Sequence, residues 1–200
     1  MTNTELVERY PFLALRNAWT ADIIEDYDPE RDGTYLDEMP RGWKIAFGEQ
    51  MCEELRNELL RWDYLDDYRI LQVKEKYGTL HWYDNGIPSG IWSEQYLEIP
   101  IADWQFVEWY EEEQKWPRNE FYKEYVYDND KNIIAVHIHR YLDRCKVYDI
   151  IEKYEDISGR TCVKCGKPAT KISRGWICPW CDDHIGDSAY WDIDEYYSKN

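Results

Sequence analysis

The sequence predicts an α+β fold: a small mixed domain with two β-hairpins and two to three helices, continued by a compact cysteine-bearing C-terminal segment. Three observations predict it. Apolar residues recur at helical spacing over residues 43–62. Apolar and polar residues alternate at period two on both sides of two polar turns. Four cysteines fall into two C-x2-C pairs between residues 162 and 181. Two hundred residues, 44% of them hydrophobic, suffice for one domain plus a small module. The expected division is a body over 1–157, the cysteine segment over 158–184 and an acidic, aromatic tail over 185–200.

The elements follow in order. Residues 1–42 read as irregular, with a short helix near 4–9 before Pro11 and an extended wrap from Asn17 to Pro40. Over 43–62, Trp43, Phe47, Met51, Leu55 and Leu59 recur every four residues, and Trp62 follows at three. Glu49, Glu53, Glu54, Arg56, Glu58 and Arg61 lie between them, giving one apolar stripe with a charged back. Alternation over Tyr68–Lys76 and Thr79–Tyr83, on either side of Tyr77-Gly78, predicts a hairpin closed off by Asp84-Asn-Gly86. Residues 87–101, with Pro88, Gly90 and Pro100, read as a loop. A helix is expected over 102–115, with Asp103 as cap, Phe106, Val107 and Tyr110 inward, and Pro117 as stop. A second hairpin is expected over 120–139 around the polar turn Asp128–Asn132. A further helix is expected over 141–157 from Leu142, Cys145, Tyr148, Ile151 and Tyr154, ended by Ser158-Gly159. Cys52 and Cys145 read as small apolar residues buried on helices.

Charge narrows the function classes. The chain carries 24 basic and 41 acidic side chains, a net charge of −17. Residues 1–159 hold 18 basic and 35 acidic side chains, whereas 160–184 hold five basic (Arg160, Lys164, Lys167, Lys171, Arg174) and two acidic (Asp182, Asp183). An acidic body repels phosphate, so nucleic-acid binding is expected nowhere except through the C-terminal segment. Eighteen Tyr and eleven Trp supply residues that bury area while keeping a polar edge, which suits interfaces as well as cores. The N-terminus has no basic region followed by an apolar run, and no stretch approaches the ~20 apolar residues of a membrane span. A cytoplasmic protein, in a bacterial cell or a phage-infected host cell, is the expectation. Cysteines that pair for a metal fit such a reducing setting.

Cys162-Val-Lys-Cys165-Gly and Cys178-Pro-Trp-Cys181 predict a zinc ribbon. Zinc takes four ligands at tetrahedral angles, and each C-x2-C turn offers two thiolates from one tight loop. His184 stands three residues after Cys181, so Cys181-Asp-Asp-His184 competes as a C-x2-H pair. Cys162, Cys165 and Cys181 belong to either set, and the fourth ligand is Cys178 or His184. Four protein ligands leave no position for water or substrate, which makes the zinc structural.

Weaker constellations remain. His137 and His139 share one strand face because side chains alternate, and His81 lies on the other predicted hairpin. With a carboxylate such as Asp143, these three histidines form a candidate catalytic metal group, weighed against exposed strand histidines. The phosphate-loop, dinucleotide, nucleophile-elbow and H-E-x-x-H motifs are absent from the sequence. Nothing assigns a catalytic residue, and the reading leans away from an enzyme.

Several stretches carry a resemblance: Tyr10-Pro-Phe-Leu, Arg16-Asn and Trp19-Thr20; Asp37-Glu-Met-Pro and Gly42-Trp43; Phe47-Gly-Glu-Gln-Met-Cys-Glu-Glu54; Gln72-Val-Lys-Glu-Lys-Tyr-Gly-Thr-Leu80 with Trp82-Tyr83; and Lys153–Ser158 with the cysteine segment through Asp183. On these the chain resembles a family of uncharacterised bacterial and prophage proteins, over its first 85 and last 50 residues. Residues 87–140 read as an insertion relative to shorter members. Some members lack a cysteine matching Cys178 and carry His or Cys at the position of His184, which favours His184 as fourth ligand. The resemblance supplies no activity.

The expected function is therefore that of a non-enzymatic phage or mobile-element accessory protein. It would bind and inhibit a host protein, a defence or nucleic-acid enzyme, through Trp104, Trp109, Glu111, Glu112, Glu113 and Trp116. The alternatives are a zinc-ribbon nucleic-acid-binding regulator and a metal-dependent hydrolase or nuclease.

Overall fold

The computed structural model describes residues 1–17, 20, 22–87, 92–100, 121–187 and 189–199; of 92–100, 121–122 and 140–143 it describes the backbone. The chain is α+β and divides into two compact units, residues 1–87 with 146–200, and residues 88–145.

In the first unit, α1 (Asn3–Arg9) opens on a capping box between Thr2 and Glu5. The stretch read as an extended wrap contains α2 (Pro29–Asp32) and a 3-10 turn (Tyr35–Glu38). Asp28 caps α2, and Pro29 stands at its first position, a start signal that outweighs the local richness in Asp and Pro. The long apolar stripe forms α3 (Arg41–Trp43), a π-helical segment (Lys44–Gly48) and α4 (Glu49–Arg61). Trp43, Met51, Leu55 and Leu59 are fully buried, as the spacing requires. Burying such side chains contributes about 1.5–3 kcal/mol each.

The first hairpin is β1 (Ile70–Lys76) and β2 (Thr79–Asp84), joined at Tyr77-Gly78. A bulge between Ile70 and Gln72 breaks the alternation, so Ile70 and Val73 are both buried while Leu71 is exposed. A two-stranded sheet is marginal in water unless something covers it. Here α5 (Val147–Gly159) does so. The Leu80 amide donates to Ser158 Oγ at 2.7 Å, and the Trp82 amide donates to Glu155 Oε1 at 3.1 Å, so helix side chains complete the outer edge of β2. On its other side α5 meets α4. Phe47 and Tyr154 pack at 5.4 Å between ring centres, and Glu54 accepts from both Lys153 Nζ and Tyr154 OH.

The C-terminal portion belongs to the same unit. Strand β6 (Lys171–Ser173) pairs with β7 (Pro179–Trp180) and β8 (Tyr190–Asp192), in the order β7-β6-β8. The tail continues as α6 (Ile193–Lys199), with Ile193 packed on Ala169 and Ile172. Tyr197 OH donates to the Gly159 carbonyl at 2.9 Å, which ties the tail to the end of α5.

The second unit is an antiparallel sheet of β3 (Trp92–Pro100), β4 (Phe121–Tyr127) and β5 (Ile133–Arg144), with β5 central. Two expectations change here. Residues 92–100 form a strand rather than a loop, because Glu94–Ile99 pair in register with β5, after a bulge between Ser93 and Glu94, and Pro100 falls at the strand end, where a missing donor is tolerated. The helix expected from 141 begins only at Val147. Strand pairing of β5 with Trp92 and Ser93 extends to Arg144 and overrides the helical spacing of Leu142 and Cys145. Cys145 is buried, but between the strand and the helix rather than on a helix. The helix expected over 102–115 lies outside the described residues. No described helix is long and apolar enough to cross a membrane.

Candidate metal centre

Two turns build the site. The first runs from Cys162 to Gly166, where the Gly166 amide donates to the Cys162 carbonyl at 3.0 Å and Gly166 takes a φ of +79°. The second is the 3-10 turn Asp182–His184, where the His184 amide donates to the Cys181 carbonyl at 2.9 Å. The Val163 amide donates to the Pro179 carbonyl at 3.1 Å and fastens the first turn to the strand β7 that leads into the second.

The helical body supports the first turn directly. The Gly42 amide donates to the Val163 carbonyl at 2.8 Å, and Trp43 Nε1 donates to the Thr161 carbonyl at 2.8 Å. The backbones approach so closely that a Cβ on Gly42 would lie 2.1 Å from the Cys162 carbonyl oxygen, and one on Gly166 would lie 2.6 Å from the Gly42 oxygen. Gly42 is therefore part of the site's foundation, a role that the sequence alone does not announce.

The turns bring together Cys162, Cys165, Cys181 and His184, whose ligand atoms all lie within 4.8 Å of one another. Cys162 Sγ lies 3.6 Å from His184 Nδ1, Cys165 Sγ 3.5 Å from Cys181 Sγ, and Cys181 Sγ 3.3 Å from His184 Nδ1. A tetrahedral zinc with ordinary bond lengths would set these edges at about 3.4–3.8 Å. The donor set therefore fits a metal ion with little adjustment.

The thiols have unequal acidities. Burial alone would raise Cys162, but the backbone N–H groups of Cys181, Lys164 and Cys165, with the His184 ring, outweigh it and bring Cys162 down to about 6. Cys181 is pushed up to about 11, first by burial and then by hydrogen bonding with the Cys165 and Cys162 sulfurs. Three sulfurs this close resist becoming thiolates together unless a cation sits among them, which is the electrostatic reason such a cluster takes up metal.

Cys178 stands outside this group. Its amide donates to Ser173 Oγ at 3.0 Å and its carbonyl accepts from the Ser173 amide at 3.1 Å. Burial, with the Glu75 charge, pushes its thiol up to about 12. The reason is local conformation. Pro179 and Trp180 are strand β7, paired with Ile172 and Lys171, so Cys178 and Cys181 flank an extended segment instead of sharing a turn. Three steps along a strand point side chains to opposite faces. Cys181-Asp-Asp-His184 makes the compact turn that a chelating pair needs.

His137 and His139 lie two apart on β5, and the group they form is with Glu124 of β4. His81 is in the first unit, with Nε2 3.3 Å from Thr79 Oγ1 and its ring stacked on Tyr83. The Asp143 side chain, and the proposed contact residues Trp104, Trp109, Glu111, Glu112, Glu113 and Trp116, lie outside what the structure describes.

A further surface joins the first hairpin to the C-terminal segment. Glu75, Lys76, Tyr77, Gly175, Trp176 and Ile177 line a groove of about 290 Å³. Glu75 organises it, accepting from the Gly78 amide at 2.7 Å and from Trp176 Nε1 at 2.9 Å. Tyr77 and Trp176 are 71% and 77% exposed. Compared with family models, curated proteins and solved structures, the chain matches none.

Proposed function

We propose that this protein is a non-enzymatic accessory protein of a phage or mobile element. It binds and inhibits a host protein, a defence or nucleic-acid enzyme, and a zinc ion held by Cys162, Cys165, Cys181 and His184 fixes the shape of its binding surface. The phage setting rests on the family resemblance. The structural role of zinc rests on four protein ligands, which leave no open position for chemistry.

The observation that carries the binding reading is Tyr77. It takes a φ of +55° at the hairpin turn, a conformation that suits Gly or Asn and strains a bulky residue. Yet its ring is exposed beside Trp176 and contributes little burial in return. Strain kept without a stability gain marks a surface used for something else. Two exposed aromatics over a hydrogen-bonded base form the rigid, amphipathic anchor typical of binding hot spots. A net charge of −17 favours a partner with a basic face.

The nucleic-acid reading is weakened by the charges around the metal centre. Lys167 pairs with Asp183 at 2.6 Å, Lys171 with Asp192 at 3.1 Å and Arg160 with Asp194 at 2.7 Å, while Arg174 lies over the Trp191 ring. These cations already have intramolecular partners.

The test is a tagged pull-down from bacterial lysate, with and without nuclease, using the wild type, Tyr77→Asn and Trp176→Ala. The expected result is one stoichiometric protein partner that both variants lose at unchanged metal content, with no fall in the melting temperature of Tyr77→Asn. Recovery of nuclease-sensitive material alone, or a partner retained by both variants, contradicts the assignment.

A further inference from the structure

The three-stranded sheet of the second unit carries a separate cluster of metal-ligating side chains. Strand alternation puts His137 and His139 on one face of β5, and the register sets Glu124 of β4 opposite His137. The same register sets Glu98 of β3 opposite His137 on the other side. Glu124 Oε2 lies 3.6 Å from His137 Nδ1 and 3.5 Å from His139 Nε2. One ligand atom from each of the three residues falls within 4.8 Å of the other two. Nitrogen and oxygen ligands around a tetrahedral zinc are separated by about 3.3–3.4 Å, so the three donors stand close to one face of such a tetrahedron.

The exposure pattern also suits an ion. The side chains of His139 and His137 are 12% and 20% exposed, whereas that of Glu124 is 62% exposed. Two held imidazoles thus face a carboxylate that is free to adjust from the solvent side. On the strand itself, Val136 and Ile138 are buried between and beside the histidines and fix the backbone that carries them.

We propose that Glu124, His137 and His139 form a second metal site, which takes a divalent transition cation of the zinc class through these three donors. Two imidazoles and a carboxylate favour Zn2+, Co2+ or Ni2+ over Mg2+ or Ca2+, which prefer oxygen donors. The ion cross-links β4 to β5. Among the described side chains it has three donors, which distinguishes it from the four-ligand cysteine centre.

The experiment is a Co2+ titration of the tag-free, metal-depleted full chain, followed by optical absorption and native mass spectrometry. Thiolate-to-cobalt charge transfer reports the cysteine centre, and weaker ligand-field bands without charge transfer report the sheet site. Two ions per chain are expected in the wild type. Glu124→Gln, a change at an exposed side chain, is expected to weaken the second ion at least tenfold, on the order of a lost metal-site interaction. His137→Gln with His139→Gln is expected to abolish it, with the thiolate band and the metal-free melting temperature of Glu124→Gln unchanged. A wild type that takes up one ion only, or a second ion whose affinity none of these substitutions alters, overturns the proposal.

Discussion

The cysteine centre and the sheet cluster gather metal-ligating side chains by different means, and the difference sets the donors each offers among the described residues, four in the first and three in the second. Cys162, Cys165, Cys181 and His184 come from two tight turns that face each other, so donors approach from both sides. Glu124, His137 and His139 come from adjacent strands of one sheet, so all donors stand on one face. Facing turns can supply all four corners of a tetrahedron, whereas the described side chains of the strand face supply three. The donor chemistry differs in parallel: three sulfurs and one nitrogen select a soft or borderline ion tightly, and two nitrogens with one oxygen hold it exchangeably.

The largest expected effect is removal of metal from the cysteine centre. Structural zinc contributes apparent binding free energies of about 10–16 kcal/mol in small modules. A strong chelator, or Cys165→Ser, is expected to open residues 160–192 to amide hydrogen exchange while the α4–α5 contact stays protected. Uniform protection after chelation would place the stability of that segment elsewhere.

Next in size is Gly42→Ala. The added Cβ would lie 2.1 Å from the Cys162 carbonyl, so backbone must move on one side or the other. The expected cost is about 3 kcal/mol or more, measured by denaturant unfolding, together with weaker metal retention. A change below about 1 kcal/mol would show that the metal turn does not rest on the helical body.

A smaller effect comes from Glu54. Burial would raise its carboxyl, but hydrogen bonds from Lys153, Tyr154 and Gln50 outweigh this and hold it below its ordinary value of 4.5. A depressed folded-state value means that the unfolded chain takes up a proton first as pH falls. The contribution is therefore complete above the ordinary value and is lost as pH drops through and below it. Glu54→Gln is expected to cost about 1–2 kcal/mol at neutral pH and little at pH values below the carboxylate range, read from unfolding at both. An equal cost at both pH values would remove charge from the explanation.

The smallest effect has the opposite sign. Tyr77→Asn relieves a left-handed φ of +55° and is expected to stabilise the hairpin by about 0.5–1 kcal/mol. A gain in stability with loss of partner binding is the signature of strain retained for function. Destabilisation would assign the ring a packing role instead.

Much of this architecture was legible in local pattern. The stripe from Trp43 to Leu59 and both hairpins fall where their periods put them, because one buried face dictates residue type at fixed spacing. The strand over 92–100 was not legible, since Pro100 and its glycine-bearing flank mimic a loop and its partner β5 lies about forty residues on. In the metal centre, the two candidate fourth ligands share the same spacing from Cys181. Spacing cannot distinguish a turn from a strand, and only the pairing of Pro179 and Trp180 with β6 separates Cys178 from the group. Gly42 was hidden for a related reason. It contributes no side chain, only the room for Cys162 to approach.

The most direct measurement is tightly held zinc per chain in Cys178→Ser and His184→Ala, compared by native mass spectrometry after the same chelator challenge that strips any exchangeable ion. Cys178→Ser is expected to keep its ion and His184→Ala to lose it. Retention by His184→Ala with loss from Cys178→Ser would restore a four-cysteine centre and contradict the site described here.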